Sequence, residues 1–146
     1  MPQPTLAGLG ILIVEDEPLL RRQLAAHLER LGADATAAAT LEAARAFIAD
    51  LPFDFALLDV NLPDGQGTDL LKDKAFSANT NVIVMTADGA VAGAVEAMRL
   101  GALDYLVKPF DPAEVPLVIA RARRLRQSVR LEEHRRSDDA FSGAGF

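Results

Sequence analysis

Five short apolar runs that alternate with helical patterns constrain the fold of this chain more than any other feature. Apolar side chains dominate these runs, as they do in strands that a parallel sheet buries on both faces. The runs cover residues 10–14, 33–38, 53–58, 81–85 and 102–107. Helical spacing predicts helices at residues 18–31, 41–51 and 90–100, a third one that follows Thr68 and continues to about residue 76, and a last one from 111 to about 136. Thr40 and Thr68 are the predicted N-caps of the second and third helices. We therefore expect an α/β fold, with a doubly wound five-stranded parallel sheet of (βα)5 order and an extended C-terminal helix.

The composition excludes several classes of protein. A chain of 146 residues fits one domain with a modest tail, and its 50% of apolar residues suffices for a core. The absence of cysteine excludes disulfides and thiolate-ligated metals, and His27 and His134 lie too far apart to indicate a histidine-based metal site. No apolar run is long enough for a bilayer, and the N-terminus lacks the basic residue of a signal peptide. We expect a cytoplasmic protein with no membrane contact.

Charge is divided unevenly along the chain. Residues 1–120 hold 17 acidic and 8 basic residues, whereas residues 121–146 hold 7 arginines and 4 acidic residues. An acidic body therefore carries a basic tail. An arginine run can indicate nucleic-acid binding, but it is more typical of a solvated helix face, and no helix-turn-helix pattern follows it. We expect no direct nucleic-acid binding by this chain.

Acidic residues, a threonine and a lysine directly follow four of the predicted strands. The first strand delivers Glu15 and Asp16, the third Asp59, the fourth Thr86 and the fifth Lys108. In a doubly wound fold the loops beyond the carboxyl ends of the strands form the ligand crevice, so we expect these side chains to meet. Clustered carboxylates favour a hard cation, Mg²⁺ or Mn²⁺, and an Asp beside that ion can attack a phosphorylated donor. Lys108 would then neutralise phosphoryl charge, and Thr86 would donate a hydrogen bond to a phosphoryl oxygen.

Each of these residues alone also fits an ordinary role. Acidic residues after a strand are often solvated loop ends or helix caps, which is the simplest interpretation of Glu17 beside Pro18. Thr86 fits a strand-end turn, and Lys108 fits a surface charge. The combination favours phosphoryl chemistry, because four strand ends each supply a residue type that this chemistry requires.

Four motifs together resemble the receiver domain of two-component response regulators. They are IVEDE at 13–17, LLDVNLPDG at 57–65, MTA at 85–87 and DYLVKPF at 104–110, and the match covers residues 9–127. The resemblance implies a flavodoxin-like fold and a phosphorylation switch, in which Asp59 accepts a phosphoryl group from a phosphohistidine of a sensor histidine kinase. It implies that Asp16, Asp59 and the backbone carbonyl of Asn61 ligate Mg²⁺, and that Glu15 supports the ion through water.

The same resemblance implies roles for the residues around the phosphoryl group. Lys108 would contact that group, and the peptide before Pro109 would be cis. Thr86 and Tyr105 resemble the switch pair, whose movement reshapes the face made by the fourth helix, the fifth strand and the fifth helix. Tyr105 also fits a half-buried residue of an amphipathic strand. A receiver of this kind labels only itself, so we expect no turnover of an external substrate.

The last predicted helix continues beyond the receiver-like region. We expect an N-terminal tail at residues 1–8, a receiver domain at 9–127 and a helical extension with a linker at 128–146, which leads toward an output domain outside this chain. A heptad-like seam favours a homodimer through this extension and the fourth and fifth helices. Its positions are Val115, Val118, Ala122, Leu125 and Val129. The extension resembles the linker that precedes the output domain in sigma-54-dependent transcriptional activators of the NtrC type.

Several alternatives share parts of this pattern. A haloacid-dehalogenase-type phosphatase also uses a strand-end Asp with Mg²⁺, but it needs a second acid two residues later, where this chain has Asn61. A flavodoxin-like cofactor module needs a phosphate loop after the first strand, where this chain has three acidic residues. A stand-alone receiver that acts by protein–protein contact is a further alternative. In the receiver family that the chain resembles, the positions two residues after Asp59 and Thr86 tune the hydrolysis of the acyl phosphate. The resemblance therefore implies that the polar pair Asn61 and Asp88 gives a fairly short-lived phosphoryl group.

Overall fold

Five parallel strands form the central sheet of the structure, a computed structural model that describes residues 5–87 and 91–125. The strands are β1 (Gly10–Val14), β2 (Asp34–Ala38), β3 (Phe55–Asp59), β4 (Asn81–Ala87) and β5 (Asp104–Lys108). Their order is β2-β1-β3-β4-β5, and every neighbouring pair is parallel. This order confirms the doubly wound sheet predicted from the sequence. A two-residue antiparallel ladder pairs Asn61–Leu62 with Gly65–Gln66 in the loop after β3.

Helices cover both faces of this sheet. They are α1 (Pro18–Arg30), α2 (Leu41–Asp50), α3 (Thr68–Lys72), α4 (Val91–Arg99) and α5, which is helical at residues 114–125. α1 begins with Pro18, whose fixed φ suits a first helical turn, and the chain leaves it through Gly32 at a φ of +100°. Thr40 caps α2 as predicted, since its hydroxyl accepts a hydrogen bond from the backbone N–H of Ala43 at 3.0 Å.

The sheet separates two apolar cores. Successive residues of β3 point to opposite faces, so Phe55 and Leu57 belong to one core while Ala56 and Leu58 belong to the other. The first core is closed by α1 and α5, and the second by α2, α3 and α4. Because both faces of β3 are covered, all five of its residues are buried, which explains the unbroken apolar run in the sequence.

Helix α3 differs from the prediction at both ends. Thr68 is not its N-cap: Gly67 occupies the cap position, and Thr68 is the first helical residue with its side chain buried. The helix ends at Lys72, well before residue 76, because Lys74 takes a left-handed φ of +53° and turns the chain. This turn lets Phe76 pack against the second core. The helix therefore ends where tertiary packing requires a turn.

Other boundaries move by a few residues. β3 begins at Phe55, two residues later than predicted, and β4 continues through Thr86 and Ala87, because these two residues pair with β5. β5 itself begins at Asp104 and ends at Lys108. α5 begins at residue 114 instead of 111, since Asp111 lies before the helix and accepts a hydrogen bond from the N–H of Ala113 at 2.9 Å.

The described part of α5 continues to residue 125. Val115, Val118 and Ala122 of the predicted seam are buried against the sheet, whereas Leu125 is half exposed. Val129 and the arginine-rich extension lie outside the described residues. Within the described ranges, no helix combines the length and the apolar character that crossing a bilayer requires.

Candidate functional site

The carboxyl ends of β1, β3, β4 and β5 bring the predicted site residues to one edge of the sheet. Strand pairing places Asp59 beside Met85, and Ala87 beside Lys108. The loop after β1 then carries its acidic residues to the same place. One carboxylate oxygen from each of Glu15, Asp16 and Asp59 lies within 4.8 Å of the others. The geometry thus brings the three carboxylates together as expected, whereas Thr86 is placed only by its strand, one residue after Met85.

Lys108 lies inside this group of carboxylates. Its ammonium donates a hydrogen bond to Oδ2 of Asp59 at 3.0 Å and forms an ion pair with Oε1 of Glu15. Lys108 is the last residue of β5, and the peptide that joins it to Pro109 is cis, as the resemblance implied. One cation therefore contacts two acids that come from two different strand ends.

Burial makes this cluster electrostatically unusual. The side chain of Glu15 is fully buried and that of Asp59 is nearly so, while Asp16 is exposed. Burial, together with the nearby Asp59, raises the pKa of Glu15 from 4.5 to about 7, although Lys108 acts in the opposite direction. Burial by itself would lower the pKa of Lys108, but the ion pair with Glu15 and the hydrogen bond to Asp59 outweigh it and raise this pKa above 10.5.

The group holds three carboxylates and one ammonium, so it carries more negative than positive charge. Within the described residues, Oε1 of Glu15 has the Lys108 ammonium as its ionic neighbour but no partner in hydrogen-bond geometry. An all-oxygen group with a surplus of negative charge and an exposed member, Asp16, fits a hard divalent cation such as Mg²⁺. The donor set therefore fits the metal that the sequence indicated.

Two backbone segments hold the acids in position. Arg21 of α1 fixes the loop after β1, because its guanidinium donates hydrogen bonds to the carbonyl oxygens of Glu15 at 3.0 Å and Asp16 at 3.3 Å. The loop after β3 returns to Asp59, since the N–H of Asn61 donates to its Oδ1 at 3.1 Å. Sequence reasoning did not identify Arg21, although its place one turn into α1 puts it next to the acidic loop.

Gly67 is a second residue that the sequence analysis missed. A Cβ at this position would lie only 2.0 Å from the backbone oxygen of Asp59. The N–H of Gly67 donates to the carbonyl of Val60 at 2.7 Å, which closes the loop on the strand end. Any larger residue would therefore displace the backbone that carries Asp59. The sequence signal for it was the second glycine of the Gly-Gln-Gly segment.

Thr86 and Tyr105, the predicted switch pair, lie on the same face of the sheet. Thr86 pairs with Val107, and Val84 pairs with Tyr105, so side chains of these four residues point to the face that carries α4. The Thr86 side chain is buried, whereas Tyr105 is 45% exposed. Asn61 is exposed beside the cluster. Asp88, the other predicted determinant of phosphoryl lifetime, lies outside the described residues.

Comparison of the sequence with known proteins finds one family and relatives that belong to it. A sequence profile of the family described as the response regulator receiver domain matches residues 11–120. Response regulator protein PilR of Pseudomonas aeruginosa is 40% identical over 79% of this chain and 26% of its own length. Regulatory protein AtoC of Escherichia coli is 40% identical over 84% of this chain and 26% of its own length. Regulators of the NtrC type are thus among the relatives, as the sequence predicted.

Solved structures agree on the fold. NtrX from Brucella abortus has a TM-score of 0.77 at 30% identity, over 86% of this chain and 29% of that one. A CheY-like receiver domain protein from Methanospirillum hungatei has a TM-score of 0.74 at 28% identity, over 82% of this chain and 98% of that one. The chain spans about a quarter of the length of the curated relatives PilR and AtoC.

Proposed function

The chain belongs to the family of response regulator receiver domains, and on that premise we propose that Asp59 accepts a phosphoryl group from a phosphohistidine of a sensor histidine kinase. The observation that carries this proposal is the Lys108 ammonium, which contacts Asp59 and Glu15 within one group of strand-end carboxylates. A nearly buried carboxylate beside a fixed cation is placed where a transferred anion would be neutralised. We expect this phosphoryl transfer to take place in the cytoplasm.

In the transfer, an oxygen of the Asp59 carboxylate attacks phosphorus while the bond from phosphorus to the imidazole nitrogen breaks. The electron pair of that bond returns to the imidazole. Hydrogen bonds from Lys108 and from the N–H of Asn61 orient the carboxylate for this attack. In the acyl phosphate that results, Lys108 would neutralise phosphoryl charge, and the hydroxyl of Thr86 would donate a hydrogen bond to a phosphoryl oxygen.

Asp16, Asp59 and the backbone carbonyl of Asn61 would hold Mg²⁺, and Glu15 would support the ion through water. The ion would neutralise negative charge on the phosphoryl oxygens. Mn²⁺ has the same preference for oxygen ligands and should substitute for it. Support for this assignment comes from the grouping of the three carboxylates, whose negative charge exceeds the single positive charge of the Lys108 ammonium that contacts two of them.

Phosphorylation would then alter the surface formed by α4, β5 and α5. Thr86 would turn toward the phosphoryl group, and Tyr105 would move inward into the space beside it. These three elements expose the apolar side chains of Val95, Met98, Tyr105, Val107 and Leu117, which is unusual for a surface that binds nothing. A homodimer through this surface and the helical extension is the assembly that we expect.

The biological output would be transcription control through a further domain. The chain corresponds to about a quarter of PilR and AtoC, and relatives of the NtrC type support a sigma-54-dependent output domain. The alternative is a receiver that acts alone through protein contacts. A Mg²⁺-dependent phosphatase is less well supported, because Asn61 occupies the place of its second acid.

The test is to incubate the protein with Mg²⁺ and acetyl phosphate and to follow its mass. We expect the gain of one phosphoryl group in the wild type and in Asp50→Asn, a control at an exposed position of α2. Asp59→Asn should gain none, and chelation of the metal should prevent the gain in every variant. Labelling of Asp59→Asn to the wild-type extent would refute the assignment of the acceptor. Hydrolysis of an ordinary phosphate ester such as p-nitrophenyl phosphate, which a receiver should not turn over, would favour the phosphatase.

A further inference from the structure

One side chain attaches the loop after Asp59 to helix α2. Asp64 accepts hydrogen bonds from the backbone N–H groups of Leu41 at 2.8 Å and Glu42 at 3.0 Å, the first two residues of α2. Such N–H groups have no partner within a helix, and the positive end of the helix dipole favours an anion there. The hydrogen bonds from Leu41 and Glu42 accordingly lower the pKa of Asp64 below 3.8. A residue of the loop after Asp59 thus caps a helix whose first residue lies 23 positions earlier in the chain.

Helix α2 has a second, independent cap. The hydroxyl of Thr40 accepts a hydrogen bond from the N–H of Ala43 at 3.0 Å. Thr40 precedes α2 directly, so this cap is local and involves no part of the loop after β3. The first turn of α2 is therefore capped twice, once from its own chain and once from the loop that contains Asp64. The two caps give a matched pair for experiment.

The other end of the loop is attached to Asp59. The N–H of Asn61 donates to the Asp59 carboxylate at 3.1 Å, and the backbone of Gly67 lies against the Asp59 carbonyl. Between these points Gly65 adopts a φ of +148°, and a Cβ there would lie 2.8 Å from Cδ1 of Leu41. The loop is thus in close contact with the nucleophile on one side and with the first residue of α2 on the other.

We propose that Asp64 is a positioning residue of the phosphorylation site, which fixes the loop at residues 61–67 against α2 and couples the first turn of this helix to Asp59. Without the two hydrogen bonds of Asp64, the segment that carries the Asn61 carbonyl would lose its attachment to α2. A ligand that orders this segment must then also stabilise the first turn of α2, because coupling between two sites is reciprocal. The effect on metal binding rests on the function proposed above, whereas the attachment itself does not.

The attachment is tested by amide hydrogen exchange in metal-free protein. Asp64→Ala should accelerate exchange at Leu41 and Glu42 and also at Asn61 and Gly67, whereas Thr40→Ala should accelerate exchange in the first turn of α2 alone. Asp64→Asn, which keeps one acceptor oxygen, should lie between the wild type and Asp64→Ala, and it replaces Asp64→Ala if that variant does not fold. Unchanged exchange at Asn61 and Gly67 in the Asp64 variants would overturn the proposal.

The functional consequence is tested by titrating Mg²⁺ in the presence of beryllofluoride, with protein-bound fluoride followed by ¹⁹F resonance. Loss of a residue that orients metal ligands typically weakens metal affinity by about tenfold or more. We expect roughly that loss in Asp64→Ala and less than about a twofold change in Thr40→Ala. Equal Mg²⁺ dependence in the two variants would contradict the positioning role. If the wild type binds no beryllofluoride, the proposed function fails, and the exchange experiment alone decides the attachment.

Discussion

At the scale of single residues, Glu15 and Lys108 show how one buried cluster acts on an acid and a base. Burial and the neighbouring Asp59 raise the pKa of Glu15 to about 7, while contacts with both acids raise the pKa of Lys108 above 10.5. In both cases the protonated form is stabilised: Glu15 keeps its proton up to about pH 7, and Lys108 stays charged. Each proton reduces the negative charge of the cluster. A divalent cation would do the same, so protons and metal should compete for this site.

The raised pKa of Glu15 predicts how the stability of the metal-free protein depends on pH. The folded state retains the Glu15 proton up to about pH 7, whereas an unfolded chain releases it near 4.5. The free energy of unfolding should therefore fall as the pH rises from about 5 to 7.5, by at most about 3 kcal/mol. Lys108 and Asp64 do not contribute to this change, because they titrate above and below the window. Urea unfolding in the presence of a chelator measures the slope.

The control for this prediction is Glu15→Gln, which carries no titratable proton. Its unfolding free energy should change much less across the same pH range, and saturating Mg²⁺ should reduce the slope in the wild type. An equal slope in Glu15→Gln and in the wild type would show that another group is responsible.

At the scale of elements, α3 shows a conflict between local preference and tertiary packing. It is five residues long, and the chain leaves it through Lys74 at a φ of +53°. A left-handed conformation costs a residue with a Cβ about 1 kcal/mol. The chain accepts this cost at a place where the turn lets Phe76 reach the second core.

Replacement of Lys74 therefore has a predictable sign. Lys74→Gly should raise the free energy of unfolding by up to about 1 kcal/mol, because glycine adopts a positive φ without steric cost. Lys72→Gly, two residues earlier and at the last residue of α3, should lower it by up to about 1 kcal/mol, because glycine is a poor helix former and the ion pair with Glu96 is lost. Thermal unfolding of the two variants under the same conditions measures the contrast. A lower stability of Lys74→Gly than of Lys72→Gly would contradict this account of the turn.

Several elements and part of the site could be predicted because their causes are local. The apolar runs identify the five strands, the parallel sheet brings the residues after Val14, Leu58 and Val107 together, and Thr40 is recognisable as a cap. The length of α3 could not be predicted, because it depends on packing around Lys74. The capping role of Asp64 depends on a contact 23 residues away, and nothing in the local Leu-Pro-Asp-Gly turn indicates it. The roles of the site residues in phosphorylation and metal binding stay predictions.

At the scale of the whole molecule, the exposed apolar side chains are concentrated on α4, β5 and α5. Val95, Met98, Val107 and Leu117 are each at least 40% exposed. Leu19 of α1 and Leu51, at the end of α2, are also exposed but belong to other elements. Apolar side chains that cluster in this way indicate a binding surface more strongly than a single one does.

Self-association should depend on this surface. Leu117→Glu should reduce the dimer fraction, because a carboxylate would have to be buried in the contact, whereas Leu51→Glu should leave it unchanged. Sedimentation velocity of both variants, with and without Mg²⁺ and beryllofluoride, measures the effect and also shows whether the phosphoryl mimic makes or breaks the dimer. Equal dimer fractions in Leu117→Glu and the wild type would exclude this surface as the contact.

The division of the interior by the sheet has a practical consequence. Thr86 and Tyr105 point to the face that carries α4, whereas Leu6 is buried in the opposite core, where its N–H donates to the Leu31 carbonyl at 2.9 Å. A fluorescent reporter of the proposed movement of Thr86 and Tyr105 should therefore be attached on the α4 side. A surface anchor or fusion partner is better joined ahead of Thr5, because the chain there leads into the core on the opposite face of the sheet.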